Sequence, residues 1–142
     1  MTDVVVRPAR VAEADRIAEL MVQLGYEVSE AEIVTRLDHL DDRRTVLVAV
    51  VDGLVAGWIA VSADTPFIEG REALVEGLVV DERCRSQGIG ERLLHEAEMW
   101  ALQHACSSLR VQTNVVRERA YRFYERNRYP RVKTQHQLRK RL

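Results

Sequence analysis

Apolar positions in this chain switch between a period of two and a period of about three and a half, and the switches mark out its elements. Val4-Val5-Val6, ahead of Arg7-Pro8, is a short β-branched run with the composition of a strand. Ala14, Ile17, Ala18, Met21 and Leu24 then recur at helical spacing, and Gly25 stops the pattern. Ser29-Glu30-Ala31-Glu32 spells a capping box, in which the serine hydroxyl takes a backbone N–H and the glutamate reaches back; it opens a second helix with Ile33, Leu37 and Leu40 on one face. Thr45 to Val51 and Leu54 to Ser62 are two β-branched runs separated by Asp52-Gly53, a dipeptide suited to the left-handed turn of a two-residue hairpin.

Asp64 to Arg71 reads as a loop and Ala73 to Val80 as a fourth strand. Ile89, Leu93, Leu94, Ala97, Trp100 and Ala101 form the apolar stripe of a third helix that ends near Ala105, and Leu109 to Thr113 reads as a fifth strand. Strand, helix and strand across 73–113 predict a right-handed parallel crossover. Ala120, Phe123, Tyr124 and Asn127 share a face of a short fourth helix closed by Pro130, and Lys133 to Leu138 reads as a last strand. No internal repeat or linker interrupts the order. The pattern predicts one α+β domain over residues 1–142, a mixed sheet with helices on both faces.

Composition narrows the class. With 142 residues the chain suits one core, and 46% hydrophobic with 30% charged residues is ordinary for a globular protein. The longest apolar stretches, Val46 to Val51 and Leu54 to Val61, fall far short of a membrane span. Met1-Thr2-Asp3 opens no basic and apolar leader, and two cysteines, Cys84 and Cys106, with four scattered histidines have no metal-ligand spacing. The expectation is a soluble, reduced, cytoplasmic protein with neither disulfide nor metal. A net charge of −1 hides an asymmetry, because residues 117–142 carry ten Lys/Arg against Glu118 and Glu125, making that stretch +8 and the rest −9. Such a run is most commonly a solvated helix face and a charged edge strand; a polyanionic small molecule, an acidic partner or nucleic acid are the functional alternatives.

The run that carries most chemistry is Arg85-Ser86-Gln87-Gly88-Ile89-Gly90, at the junction of the fourth strand and third helix. Two glycines let the backbone pass close to an anion, and the unpaired N–H groups of a helix's first turn point toward it. Arg85 adds a fork that matches phosphate geometry. A Gly-x-Gly at such a junction can also do no more than close the turn. The Gly-x-x-x-x-Gly-Lys-Ser/Thr phosphate loop is absent, and the dinucleotide fingerprint lacks its small residue at Leu93 and an acid within Ser108 to Thr113.

With this order of elements, and with Val79-Val80-Asp81-Glu82-Arg83-Cys84-Arg85-Ser86-Gln87-Gly88-Ile89-Gly90 at the junction, the chain resembles the GCN5-related N-acetyltransferases (GNAT) over nearly its full length. A second stretch, Ala120-Tyr121-Arg122-Phe123-Tyr124-Glu125-Arg126-Asn127-Arg128-Tyr129, is similar to that family's Ala-x-x-x-Tyr-x-x-x-Gly-Phe helix. The resemblance implies a GNAT-type acyl-CoA N-acyltransferase fold, with a mostly antiparallel mixed sheet and a central parallel strand pair flanked by helices. It implies acetyl-CoA as cosubstrate, with the amides of Gln87, Gly88, Ile89, Gly90 and Glu91 on the pyrophosphate and Arg85 and Ser86 assisting. It also places backbone of Leu78, Val79 and Val80, where the fourth strand splays from the fifth, on pantetheine and the thioester carbonyl. Two departures stand out: Arg128 occupies the usual glycine, and Arg117 stands where relatives have an asparagine, with Asn114 three residues earlier as its substitute toward the coenzyme.

The implied reaction is direct transfer of the acetyl group to a primary amine in a ternary complex, with Tyr124 as the general acid for the departing thiolate. Glu76 is the candidate base. Leu74, Glu76, Leu78 and Val80 fall on one face of a regular strand, which would set this carboxylate among apolar neighbours and raise its pKa. The simpler alternative is a carboxylate at the sheet edge paired with an arginine. Arg119, Arg122 and Arg126, at i, i+3 and i+7, could line the cofactor's entrance. A catalytically silent CoA-binding or regulatory module of the same fold is the alternative function. Nucleic-acid binding ranks last, because aromatic interleaving is missing. Glu27, Asp64 and Glu69 hint at a cationic acceptor, a small-molecule or peptide amine, and homodimers occur among relatives.

Overall fold

The computed structural model describes residues 3–113 and 116–142. The chain divides into two compact units, Met1–Gln112 and Thr113–Leu142. The first contains β1 (Val4–Pro8), α1 (Ala14–Gln23), α2 (Glu30–Asp38), β2 (Arg44–Val51), β3 (Leu54–Asp64), β4 (Glu72–Val80), α3 (Ile89–Gln103) and β5 (Leu109–Val111); the second contains α4 (Glu118–Arg126).

In the first unit the strands form one sheet in the order β1-β2-β3-β4-β5, antiparallel throughout except for the parallel pair β4 and β5. This is the mixed α+β sheet that the apolar pattern predicts. The β2–β3 hairpin turns at Asp52 and Gly53 with φ of 51° and 79°, the two positive angles its twist requires. At the start of α2 the Ser29 hydroxyl accepts from the Glu32 N–H at 3.1 Å. The Glu32 carboxylate goes to Arg36 at 3.4 Å, so one arm of the expected capping box forms. Glu13, which the pattern did not single out, accepts from the Arg10 N–H at 2.8 Å and holds the Arg7 guanidinium with both oxygens.

The core lies on both faces of the sheet. Val48, Val55, Trp58 and Val79 pack against Ala14, Ile17 and Leu20 of α1 and Ile33 of α2. The Trp58 indole N–H is satisfied by the Ile17 carbonyl at 3.3 Å. On the opposite face Leu93, Leu94, Ala97 and Ala101 bury the stripe of α3. Gly57 lets that helix come close, since a Cβ there would sit 2.7 Å from the Val79 carbonyl oxygen and 3.3 Å from the Leu93 side chain.

Two bulges interrupt the ladders. Between β3 and β4 the register passes from Ala60↔Gly77 to Val61↔Val75, leaving Glu76 as the extra residue. Leu74 therefore faces the same way as its partner Ser62, and Leu78 the same way as Ile59, three residues off and on the other side of the sheet. The single face expected for Leu74, Glu76, Leu78 and Val80 breaks at the bulge. β5 is also shorter than predicted, and its pairing with β4 covers only Ala73 to Val75. Residues 76–80 of β4 run on past the end of β5.

In the second unit α4 closes on a left-handed turn, with Arg128 at φ 70° and the Tyr129 N–H returning to the Tyr124 carbonyl at 2.9 Å. The last strand expected at Lys133 to Leu138 does not form: residues 130–142 have no regular structure. Five of its six residues are polar, and residues 131–142 are all exposed, so no buried face fixes a register. Among the described residues no helix is long and apolar enough to cross a membrane.

Candidate active site at the β4–α3 junction

Where β4 ends, the chain is tied down by a buried carboxylate. Asp81 is 1% exposed, and its N–H donates to the Ala56 carbonyl at 2.7 Å. Its carboxylate accepts from Arg16 Nη2 at 2.5 Å, from Arg83 Nη2 at 2.9 Å, from the Arg83 N–H at 3.1 Å and from Gln23 Nε2 at 3.4 Å. Arg83 and Arg16 together hold its pKa well below the usual carboxylate range. Arg16 also donates through Nε to the Val55 carbonyl at 2.9 Å, and Gln23 Oε1 accepts the Glu82 N–H at 2.9 Å. None of Arg16, Gln23 and Asp81 stood out in the sequence. Arg16 and Asp81 are 65 residues apart, and no local pattern announces a pair made only by folding.

From Asp81 the chain makes a short turn over Glu82–Cys84, extends at Arg85, and reaches Ser86 at φ 68° and Gly88 at φ 78°. α3 starts directly after, with Gly88 as its N-cap and no capping side chain. The first helical bond runs from the Arg92 N–H to the Gly88 carbonyl at 3.1 Å, so the N–H groups of Ile89, Gly90 and Glu91 precede any intrahelical acceptor. Left-handed residues stand on either side of Gln87, the kind of backbone alternation from which anion-binding nests are built. A Cβ placed on Gly88 would meet nothing within 4 Å, and residues 85–88 are exposed while Ile89 and Gly90 are buried. The junction is thus an open, rigidly backed cradle of backbone donors with Arg85 at its rim, and it fits a pyrophosphate. The expected pantetheine-binding residues Leu78, Val79 and Val80 form the last turn of strand before it, in the part of β4 beyond β5.

A cleft of about 230 Å³ opens at the other end of β4, lined by Arg44, Asp64, Glu72, Leu74, Glu76 and Arg110 among others. Glu76 Oε2 accepts from Arg44 Nη1 at 2.6 Å, and Glu72 Oε1 from Arg110 Nε at 2.9 Å. The Glu76 side chain is 38% exposed. It is not enclosed by apolar neighbours, because the bulge moves Leu78 and Val80 to the opposite face. The arginine-paired alternative describes its surroundings, and the apolar setting expected for this carboxylate does not form. Asp64 also lines the cleft, and its carboxylate accepts the Thr65 N–H at 2.8 Å.

In the second unit Tyr124 is the buried residue of α4. Its ring meets Phe123 edge-on at 5.1 Å and Tyr129 at 6.0 Å, and burial pushes its phenol up to about 12. Arg119, Arg122 and Arg126 are exposed, and Arg122 lies 3.6 Å from Glu118. Asn114 falls outside the described residues. His104 stacks on Trp100 with ring centroids 3.9 Å apart, and His95 is exposed on α3. Among the described residues no group of His, Cys, Asp or Glu is arranged to hold a metal ion.

A family model described as the acetyltransferase (GNAT) family matches residues 14–128. The chain belongs to that family. It is 29% identical to the aminoglycoside N(6′)-acetyltransferase type 1 of Serratia marcescens, over 55% of this chain and 62% of that protein, so the match spans less than two thirds of the relative's length. Its fold is similar to that of the aminoglycoside N-acetyltransferase AAC(6′)-Iy in complex with CoA, with a TM-score of 0.90 at 16% identity over 100% of this chain and 97% of the other. A glucosamine-6-phosphate N-acetyltransferase from Arabidopsis thaliana superposes with a TM-score of 0.82 at 20% identity, over 96% and 98% of the two chains. At these identities the two structures bear on the fold.

Proposed function

We propose that this GNAT chain, working as one domain over residues 1–142, moves the acetyl group of acetyl-CoA to a primary amine by direct transfer in a ternary complex. One observation carries the reading: the left-handed pair Ser86 and Gly88 opens α3 with uncapped amides, at the family's phosphate-binding position. The CoA complex of AAC(6′)-Iy, and that enzyme's complex with a CoA-linked acetylneamine analogue, support the choice of cosubstrate and of an amine acceptor.

Bound acetyl-CoA supplies the activated acyl group; the chain supplies placement, charge and protons. Backbone N–H groups of Gln87 to Glu91 hold the pyrophosphate, with Arg85 and Ser86 at its edge. Backbone of Leu78 to Val80 orients the acyl arm and polarises its carbonyl, a donor set fixed before reaction and therefore effective. The acceptor amine enters the cleft at Glu76, Glu72 and Asp64, whose carboxylates favour an ammonium. Glu76 takes the ammonium's proton through water, the exposed carboxylate acting by position. Tyr124 gives its proton to the leaving sulfur. Its phenol stays protonated throughout the neutral range, and donation to a solvated thiolate would run uphill by about 5 kcal/mol, so the sulfur must itself be desolvated as it leaves.

CoA release measured against polyamines, aminoglycosides and N-terminal peptides tests the reading. Turnover of at least one amine is expected, and Tyr124→Phe should lower kcat about 100-fold with the KM for acetyl-CoA unchanged. Binding of acetyl-CoA with no turnover of any amine would contradict it in favour of a silent CoA-binding module.

A further inference from the structure

The cradle between β4 and α3 hangs from two fixed points. On the far side Ile89 is 1% exposed, and Leu93 packs closely at Gly57. On the near side the chain enters through Asp81, and there α1 reaches across with two side chains. Gln23 accepts the Glu82 N–H at 2.9 Å and donates to Asp81 at 3.4 Å. Arg16 joins the Asp81 carboxylate to the Val55 carbonyl of β3. Asp81 then accepts the Arg83 N–H at 3.1 Å, and its carbonyl accepts the Cys84 N–H at 2.8 Å, closing the turn that leads into Arg85 and Ser86. Three successive backbone donors on the way to the first left-handed residue, those of Glu82, Arg83 and Cys84, are thereby set from α1 or from Asp81.

One bond in this arrangement lies outside what burial of the carboxylate asks. Desolvation of Asp81 is offset by Arg16, Arg83 and the Arg83 N–H, which occupy its oxygens, whereas the bond from the Glu82 N–H to Gln23 serves the loop and not the carboxylate. Here the two α1 side chains divide the work: Arg16 joins Arg83 on the carboxylate, and Gln23, an exposed side chain, takes up a backbone N–H of the loop itself. We propose that Arg16, Gln23 and Asp81 are positioning residues for cosubstrate binding, fixing the entry of the cradle so that its amides stand in place before a diphosphate arrives. This rests on the acetyl-CoA reading above. These residues touch no substrate, and they act through the amides of Gln87 to Glu91.

The test compares the wild-type chain with Gln23→Leu, Asp81→Asn and Arg16→Met in two measurements. The first, amide hydrogen exchange over residues 82–90 without ligand, does not depend on acetyl-CoA. It is expected to quicken in all three variants while exchange in β2 and β3 stays as in the wild type. The second is steady-state kinetics, in which the KM for acetyl-CoA is expected to rise about tenfold in Gln23→Leu, with kcat and the acceptor KM within about twofold of wild type. Should Asp81→Asn or Arg16→Met fold poorly, Gln23→Leu decides, since it removes an exposed amide and leaves the ion pair in place. Unchanged exchange over 82–90 overturns the proposal, as does quickened exchange with an unaltered KM for acetyl-CoA. A kcat that falls with both KM values unchanged also overturns it. Wild-type protein that takes up no acetyl-CoA, with exchange still quickened in the variants, would sink the acetyl-CoA reading and leave the loop tether standing as a structural feature alone.

Discussion

Tyr124 shows how far one residue's setting can differ from what its position in a motif suggests. The family pattern names it as an acid, and a solvated phenol near 10 would serve; burial instead pushes it to about 12. The sign follows directly. A phenol raised in the folded state is stabilising while it stays neutral, so the contribution is complete below pH 10 and is lost as pH rises through 12. Urea unfolding of the wild type and Tyr124→Phe, compared from pH 9 to pH 12, should show the wild type losing stability relative to the variant by about 2 kcal/mol across that window. A constant difference would mean the ring is solvated. Arg128 is the converse case, a bulky residue in place of the family's usual glycine on a backbone that favours glycine. It adopts φ 70° all the same, a conformation costing an L-residue about 1–2 kcal/mol. Arg128→Gly should therefore raise stability by about 0.5–1 kcal/mol after the entropy of the unfolded glycine is counted, and chemical denaturation would show it. The cradle residues Arg85 to Gly90 were legible in the sequence because their chemistry is local backbone geometry. Asp81 was not, because a buried aspartate and a loop aspartate look alike until a distant arginine arrives.

Elements were legible wherever a single period held. The β2–β3 hairpin follows from its Asp52-Gly53 turn dipeptide, and the stripe of α3 and the amphipathic α1 follow from spacing, all within a residue or two at their ends. The errors fall where register is set by neighbours. A bulge at Glu76 leaves no mark in a run of apolar residues, yet it reverses the faces of everything beyond it and opens the carboxylate to solvent and to Arg44. The final strand failed for the opposite reason: residues 133–138 offer no apolar face that a sheet could bury. Packing between elements gives a sharp expectation at Gly57, where β3, β4 and α3 come together. Gly57→Ala puts a methyl 2.7 Å from the Val79 carbonyl oxygen, a backbone atom that cannot swing aside. A loss of about 2 kcal/mol in thermal or urea unfolding is expected, with a weaker hold on acetyl-CoA because β4 carries the cradle. Wild-type stability in this variant would mean that β3 and β4 separate freely.

At the scale of the whole molecule, charge is divided between the two units. Residues 113–142 carry the +8 and the first unit the −9, a division that composition alone reveals and that net charge conceals. In the first unit most of the arginines are spent on acids: Arg7 on Glu13, Arg16 and Arg83 on Asp81, Arg44 on Glu76, Arg110 on Glu72. What this leaves for an anion at the β4–α3 junction is Arg85 and backbone: the Ser86 to Glu91 amides, which no side chain caps. Family, fold and loop geometry converge there on a diphosphate-bearing acyl carrier. Isothermal titration of acetyl-CoA into the purified chain tests that claim most directly. A single site is predicted, weakened by more than tenfold in Gly88→Val, where a left-handed backbone is denied to the loop. No uptake at millimolar acetyl-CoA, or equal uptake by Gly88→Val, would contradict it.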